Sequence, residues 1–230
     1  QTLEDEQKVD VTYNIKKGGL VYFNRINITG NTKTRDKVIR RELAFTEGEL
    51  YSSDKLKSSY ARLNRLRYFE EVNFQTAKGP EESLTDITIG VKERPTGMFS
   101  VGAGYSGQSG AMLMAQIAQQ NLFGRGQSLS LQTSLGTEQS TIILSFTEPY
   151  VFDTPLWMKT EIWKTTQEFD TYDLDTKGLG LTFGYPLWER VFGSVGYRIS
   201  VNNVKDVLST ASQTIKDQEG ETTQSGILTA

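Results

Sequence analysis

From about residue 98 onward the chain alternates large apolar side chains with small polar ones. Leu129, Leu131, Thr133 and Leu135 alternate with Ser128, Ser130, Gln132 and Ser134. Leu179, Leu181, Phe183 and Tyr185 alternate with Gly178, Gly180, Thr182 and Gly184, and Val195, Tyr197, Ile199 and Val201 with Ser194, Gly196, Arg198 and Ser200. A period of two belongs to the β-strand, where successive side chains point to opposite faces. Each segment has roughly the ten residues that a tilted membrane strand needs. Ile142, Leu144 and Phe146 keep the pattern, although Ile143 interrupts it. The second face is the constraining observation. A soluble sandwich packs its large apolar face inward and sets charge on the other. Here the other face is mostly Gly, Ser, Thr and Gln, with few charges such as Lys159, Glu161 and Arg198. That composition suits a hydrated lumen and favours a membrane barrel over a soluble sandwich.

The pattern predicts strands near 98–105, 110–120, 127–135, 139–147, 156–166, 176–185, 191–203 and from 223 onward, joined so that every second turn falls at the same end. One end carries Asn121-Leu122-Phe123-Gly124-Arg125-Gly126, the segment from Glu148 to Pro155, and Tyr185-Pro186-Leu187-Trp188-Glu189. Phe123, Tyr150, Phe152, Trp157 and Trp188 would there form an interfacial girdle. The other end has Ser106 to Ser109, Gly136 to Glu138, Phe169 to Asp175 and Lys205 to Glu221, the last two expected as longer polar loops.

Residues 1–95 read differently. They hold 17 Lys and Arg against 15 Asp and Glu, whereas residues 96–230 hold 8 against 13. Val9, Val11, Tyr13 and Ile15 suggest a last strand of a preceding unit, within residues 1–17. A strand through Tyr22, Ile26 and Ile28 ends at Gly30-Asn31. Thr34 is placed to cap a first helix with Asp36 in its opening turn and Val38, Ile39 and Leu43 on its buried stripe. Gly48 breaks the chain, and Ser52 or Ser53 caps a second helix carrying Leu56, Tyr60, Leu63 and Leu66 at helical spacing. Strands with Val72 and Phe74, then Ile87, Ile89 and Val91, complete a β-α-α-β-β order over residues 20–94. Residues 95–97 follow as a joint: Pro95 restrains Arg94 to extended geometry, and Gly97 is expected to free the next peptide.

Composition narrows the chemistry. The chain has no cysteine and no histidine, which excludes disulfides, thiolate metal sites and the usual general base. No apolar run is long enough for a spanning helix. Gly102-Ala103-Gly104 lacks the lysine and following helix of a phosphate loop. Nothing pairs a nucleophile with a base, and no concentrated basic patch suggests nucleic acid. The expectation is a non-enzyme without cofactor or metal. Gln1 at the start and an alternating segment cut short at Ala230 suggest a piece of a longer chain.

The β-α-α-β-β order, Gly30-Asn31 after the first strand, and Arg62-Leu63-Asn64-Arg65-Leu66-Arg67-Tyr68-Phe69 leaving the second helix together resemble a POTRA domain. The closing Val91-Lys92-Glu93-Arg94-Pro95-Thr96-Gly97 resembles the end of the last POTRA domain in the BamA family of outer-membrane assembly factors. Asn121-Leu122-Phe123-Gly124-Arg125-Gly126 and Phe146-Thr147-Glu148-Pro149-Tyr150 are similar to turn motifs of the same superfamily, and their own chemistry is that of ordinary hairpins. The resemblance covers essentially the whole chain. It implies an α+β POTRA domain, with residues 1–17 as the tail of another, followed by residues 98–230 as the first half of a transmembrane antiparallel barrel with its last strand incomplete. It implies location in the outer membrane with the POTRA domain in the periplasm. Implied partners are unfolded outer-membrane protein clients, accessory lipoproteins and outer-membrane lipid, with Glu47 in Thr46-Glu47-Gly48 as a residue for lipoprotein contact. The plainer reading of Glu47 is a solvated loop acid.

The first barrel strand offers a mechanism. Phe99, Ser100, Val101, Gly102, Ala103, Gly104 and Tyr105 leave one face nearly bare, and glycine weakens sheet order. A short pairing with the closing strand would leave backbone groups free to capture a client strand by β-augmentation at a lateral seam. The alternatives are a POTRA-barrel transporter for a dedicated passenger, of two-partner secretion or translocation-and-assembly type, a simple porin, or a periplasmic binding module.

Overall fold

The computed structural model describes residues 2–3, 8–9, 11–13, 19–188 and 191–229. Two short strands, β1 (Thr2–Leu3) and β2 (Lys8–Val9), pair antiparallel at the start. Residues 11–13 are outside any strand, so the alternation at Val9, Val11 and Tyr13 is not one continuous strand. Ile15 and the linker at Lys16, Lys17 and Gly18 lie outside the described residues.

The amino-terminal unit is built from β3 (Tyr22–Thr29), α1 (Asp36–Arg40), α2 (Ser53–Leu66), β4 (Phe69–Lys78) and β5 (Leu84–Glu93). The sheet order is β3-β5-β4, with β3 parallel and β4 antiparallel to β5. The last strand thus occupies the centre, and Ile87 and Ile89 on it are sealed from solvent together with Phe23, Val38, Ile39, Phe45 and Leu63. Phe23 stacks on Phe45 with ring centroids 4.3 Å apart. Ser52 caps α2 as the sequence suggests, accepting from the Lys55 N–H. Thr34 does not cap α1. Arg35 stands at that position without a side-chain cap, and the buried Thr34 hydroxyl is used elsewhere. Gly30 and Gly48 adopt the positive φ that their turns require.

The second body is an eight-stranded antiparallel meander: β6 (Gly97–Ser106), β7 (Gly110–Leu122), β8 (Gln127–Gly136), β9 (Gln139–Glu148), β10 (Trp157–Phe169), β11 (Tyr172–Trp188), β12 (Val191–Lys205) and β13 (Thr222–Thr229). Neighbours in sequence are neighbours in space throughout. The register sorts side chains as the alternation requires. Phe99 pairs with Ile117, Ile117 with Leu131, Leu131 with Leu144, Leu144 with Ile162, Ile162 with Leu179, and Leu179 with Ile199. These residues form one apolar face, and Leu131, Ile162 and Leu179 on it are 40, 53 and 47% exposed. Ile143, which interrupts the alternation, pairs with Trp163 on the opposite, inner face.

Three expectations are corrected. The loop from Phe169 to Asp175 is a tight hairpin: β10 and β11 pair out to Phe169 and Tyr172, whose rings stack at 4.7 Å. Aromatic stacking extends the ladder through residues that look polar overall. Trp157 is not in a girdle, because it shares the inner face with Lys159 and Glu161 and sits opposite Gly184. Gly97 is not a turn residue but the first residue of β6, paired with Gln119, where a Cβ would stand 3.1 Å from the Gln119 side-chain oxygen. The segment between β12 and β13 is long and polar as expected, and it contains a short helix, α3 (Gln213–Lys216). The turn after Trp188 includes Glu189, outside the described residues.

Candidate functional site

Among the described residues the proposed seam strand, β6, is at one end of the sheet, as β13 is at the other, and pairs only with β7. All its residues but Ser106 are exposed. In an antiparallel edge strand alternate N–H and C=O groups point away from the single partner and lack a ladder bond. Phe99, Val101, Ala103 and Tyr105 lie on the apolar face, with Phe99 at 69% and Tyr105 at 81% exposure. Ser100, Gly102 and Gly104 lie on the inner face. Their missing bulk is partly supplied across the strand pair. A Cβ on Gly102 would meet the Met114 methyl at 3.9 Å, and one on Gly104 would meet the Met114 methyl and Met112 Cγ. The unbranched thioethers form an adaptable floor under a thin strand.

On the inner face farther along, Lys159 and Arg198 converge on the Glu161 carboxylate, with N···O separations of 2.7 and 3.1 Å. The Arg198 guanidinium also lies over the Trp163 ring at 5.6 Å. The Trp163 ring occupies the space that a Cβ on Gly178 would take. The three charges predicted for this face therefore form one paired network. Among the described residues no group of metal-binding side chains occurs.

The joint is more heavily built than its sequence suggests. The Glu93 carboxylate, at the end of β5, accepts from the Thr32 hydroxyl at 2.8 Å, the Lys33 N–H at 2.8 Å and the Thr34 N–H at 2.6 Å. Partial burial opposes its charge, but hydrogen bonds from Thr34, Thr32 and Lys33 outweigh that and hold its pKa at about 2. The Arg94 N–H donates to the Tyr68 carbonyl at 3.0 Å. Beyond Pro95, the Gln119 side-chain amide donates to the Thr96 hydroxyl at 2.7 Å and the Gln120 N–H to the Thr96 carbonyl at 3.0 Å.

The turn Asn121–Gly126 docks onto this loop. The buried Asn121 amide donates to the Thr34 hydroxyl at 2.7 Å, and its carbonyl oxygen accepts from the Gly126 N–H at 2.8 Å. The Arg35 N–H donates to the Gly124 carbonyl at 2.9 Å, and the Tyr68 hydroxyl to the Gly126 carbonyl at 3.2 Å. Gly124 and Gly126 both have positive φ, and a Cβ on either would collide, with the Lys33 carbonyl and with the Arg41 guanidinium respectively. Hairpin chemistry alone is thus an incomplete account of this turn. Its glycines let two bodies approach.

A second contact joins the turn after β9. The Arg41 guanidinium lies 4.1 Å from the Tyr150 ring centroid, and Lys37 pairs with Asp153. Burial raises the pKa of Glu42 despite nearby Arg41, and burial with the neighbouring Glu42 charge raises that of the Tyr150 hydroxyl. Tyr150, expected in a girdle, is instead an interdomain contact. The sequence reading missed this dock. Its trace was present in Asn121 and in glycines at 124 and 126, but their partner surface, residues 33–41, lies more than 80 positions upstream.

Glu47 is neither free nor simply solvated. Strand β3 is irregular between Phe23 and Ile26, and the Glu47 carboxylate accepts from the Ile26 N–H at 2.9 Å. Arg40 lies 3.7 Å from Glu47 and donates to the Ile26 carbonyl at 2.7 Å. Together they satisfy a backbone irregularity, while the Glu47 side chain remains about half exposed.

Comparison with known proteins gives two family matches. Residues 21–94 match the POTRA family, described as a surface antigen variable number repeat, and residues 121–229 match the Omp85 superfamily domain. The chain is 35% identical over 221 residues to the outer membrane protein assembly factor BamA of Nitratidesulfovibrio vulgaris, covering 96% of this chain and 28% of that relative. The crystal structure of BamA from Haemophilus ducreyi lacking POTRA domains 1–3 superposes with a TM-score of 0.81 at 25% identity, over 99% of this chain and 46% of that one. CdiB from Escherichia coli shares the fold alone, with a TM-score of 0.61 at 15% identity over 90% of this chain and 41% of that one.

Proposed function

The chain belongs to the BamA family of the Omp85 superfamily, and from that premise we propose that the protein folds and inserts β-barrel proteins into an outer membrane by adding client strands to β6. Residues 20–94 act as the periplasmic POTRA domain and residues 98–230 as barrel wall. The observation that carries the reading is the make-up of β6: its inner face is Ser100, Gly102 and Gly104 over Met112 and Met114, so side chains add little to its hold on a neighbour at a strand edge. In lipid an unpaired strand edge is costly, so such an edge favours pairing with an incoming strand. The chemistry is noncovalent and needs no cofactor.

These 230 residues hold no cysteine, so single Cys substitutions from Phe99 to Tyr105, in the full protein freed of any cysteine outside them, serve as crosslinking sites. Crosslinks to the terminal strand of a stalled client, alternating in register, support strand templating. The absence of a crosslink at every position overturns it. Depletion in the host should reduce folded porins generally. Loss of one secreted passenger with porins unchanged would favour the dedicated transporter instead.

Glu47 is proposed as a contact for an accessory lipoprotein. Glu47→Arg would also break the Ile26 hydrogen bond, so Glu47→Gln, which keeps an acceptor, is the cleaner probe. Weakened copurification of a lipoprotein with unchanged thermal unfolding supports the contact. Unchanged copurification removes it.

A further inference from the structure

The turns that dock the two bodies also present a basic and aromatic collar on one side of the junction. Arg35, Lys37 and Arg125 line a cleft of about 250 Å³ whose sheet wall is Gln127 and Glu148. Gln127 and Glu148 alternate in phase with Leu129 and Phe146, so this wall continues the apolar face of the sheet, not the inner one. On the other flank of the same turn, Lys33 and Arg94 line a second cleft with Gly97 and Gln119, again in phase with Phe99 and Ile117. With Arg41, which lies over the Tyr150 ring, six cations thus border the periplasmic end of the face that the barrel reading assigns to lipid. Among the described residues the opposing carboxylates are engaged: Asp153 with Lys37, Glu148 with the Gln127 amide and the Tyr150 N–H, and Glu93 with the 32–34 loop. Arg35 and Arg125 have no ion-pair partner among those residues, and Arg125 stands in the part of the chain, residues 96–230, that is acidic overall.

Two aromatic tips lie beside these cations. Phe123 and Phe152 both have left-handed backbone, with φ of 52° and 53°, a conformation that costs a bulky residue free energy. Neither recovers that cost by burial, since they are 79 and 93% exposed. A bilayer interface is an environment that would cover an aromatic ring while leaving adjacent guanidinium groups among headgroups.

We propose that Lys33, Arg35 and Arg125, with Phe123 and Phe152, form a docking surface for anionic phospholipid headgroups of the periplasmic leaflet. The collar orients the amino-terminal unit against the membrane surface beside the seam strand. The inference rests on the reading of the apolar face as lipid-facing, and its test separates the two. Each basic residue near an anionic surface favours partitioning by roughly fivefold at low salt, an effect screened over a distance of about 10 Å at 0.1 M salt.

The full protein, carrying Phe152→Cys labelled with an environment-sensitive fluorophore, would be placed in phosphatidylcholine nanodiscs. These would contain an equal small fraction of spin-labelled phosphatidylglycerol or spin-labelled phosphatidylcholine. Quenching at least about twofold stronger by the anionic lipid at low salt, lost at high salt and in Lys33→Gln/Arg35→Gln/Arg125→Gln, is the expected result. Equal quenching by both lipids overturns headgroup selection. No quenching by either overturns contact with the bilayer, and the collar would then be a surface for a soluble partner. A second label at Ile162→Cys decides the underlying premise: quenching there with none at 152 leaves the barrel reading standing without the collar, and no quenching at either site overturns both.

Discussion

In the amino-terminal unit Phe23, Ile39, Leu63, Ile87 and Ile89 are fully sealed, whereas Leu113, Ile117, Leu131 and Ile162 on the sheet stand 40 to 61% exposed. Both regions segregate apolar from polar side chains, and both do so with the period of their secondary structure. They differ in where the apolar side is satisfied. The unit closes around its own side chains, so its stability depends on shape complementarity. The sheet exposes its apolar face, which as barrel wall would meet an apolar solvent, and on its other face Trp163, Met112 and Met114 fill the space over Gly178, Gly102 and Gly104. Burial of apolar surface is therefore a property of chain and surroundings together, and the same leucine has different consequences in the two halves.

The sharpest contrast should come from truncation. Phe45→Ala removes a ring stacked on Phe23 and should destabilise the unit by about 3–5 kcal/mol, because the cavity cannot refill. Leu131→Ala should cost only about 1–2 kcal/mol in a bilayer, since lipid chains refill the space and only the transfer difference remains. Chemical unfolding of both variants in lipid vesicles measures the ratio. Equal costs would break the comparison and indicate that the sheet packs against protein.

Charge tests the two faces of the sheet against each other. Ile162→Arg, on the apolar face, should cost about 2–4 kcal/mol near the bilayer midplane. Gln132→Arg, on the inner face, should fall within about 0.5 kcal/mol of the parent. Folding yield into vesicles, read by heat-modifiable electrophoretic mobility, distinguishes them. A reversal of the two effects would exchange lumen and lipid.

Between the two bodies the dock should behave as neither core nor lipid face. Asn121 bridges the Thr34 hydroxyl and the Gly126 N–H, so Asn121→Ala leaves two buried groups unpaired and should cost about 1–3 kcal/mol of docking free energy. The readout is hydrogen exchange at the Arg35 and Gly126 amides, which should accelerate while Ile87 and Ile89 stay protected. Acceleration throughout the unit would mean that the dock and the core unfold together.

Local pattern explains what was legible in the sequence. Alternation over ten residues located all eight sheet strands, and helical spacing of Leu56, Tyr60, Leu63 and Leu66 located α2. The errors arose where a distant partner changed a local preference. Thr34 looks like a helix cap, yet its hydroxyl accepts from Asn121, 87 positions away. Trp157 looks interfacial until register sets it opposite Gly184. Phe169 and Tyr172 close a hairpin that composition suggested was open loop. The candidate site divided in the same way. The bare face of β6 was readable from its glycines, but Met112 and Met114 beneath it required the strand pairing, and Glu47 gave no sign that it holds the Ile26 N–H.

The smallest predicted effect concerns pH and sets the two sides of the dock against each other. Glu93 is held at about 2, so its contribution is present above the ordinary carboxylate range and is lost as pH falls from there toward 2. Glu42 is raised by burial, which reverses the sign: its charge opposes the docked state, and that penalty grows as pH rises through its ordinary value to its folded one. Mild acidification from neutrality should therefore leave the Glu93 side intact and slightly strengthen the Tyr150 side. Hydrogen exchange at the Arg35 amide, corrected for the intrinsic pH dependence of exchange, should show protection rising as pH falls toward the upper edge of the carboxylate range. Glu42→Gln should flatten that rise, and Glu93→Gln should lower protection without flattening it. Flattening by Glu93→Gln alone would assign the pH dependence to the wrong half of the dock and break the distinction between its two sides.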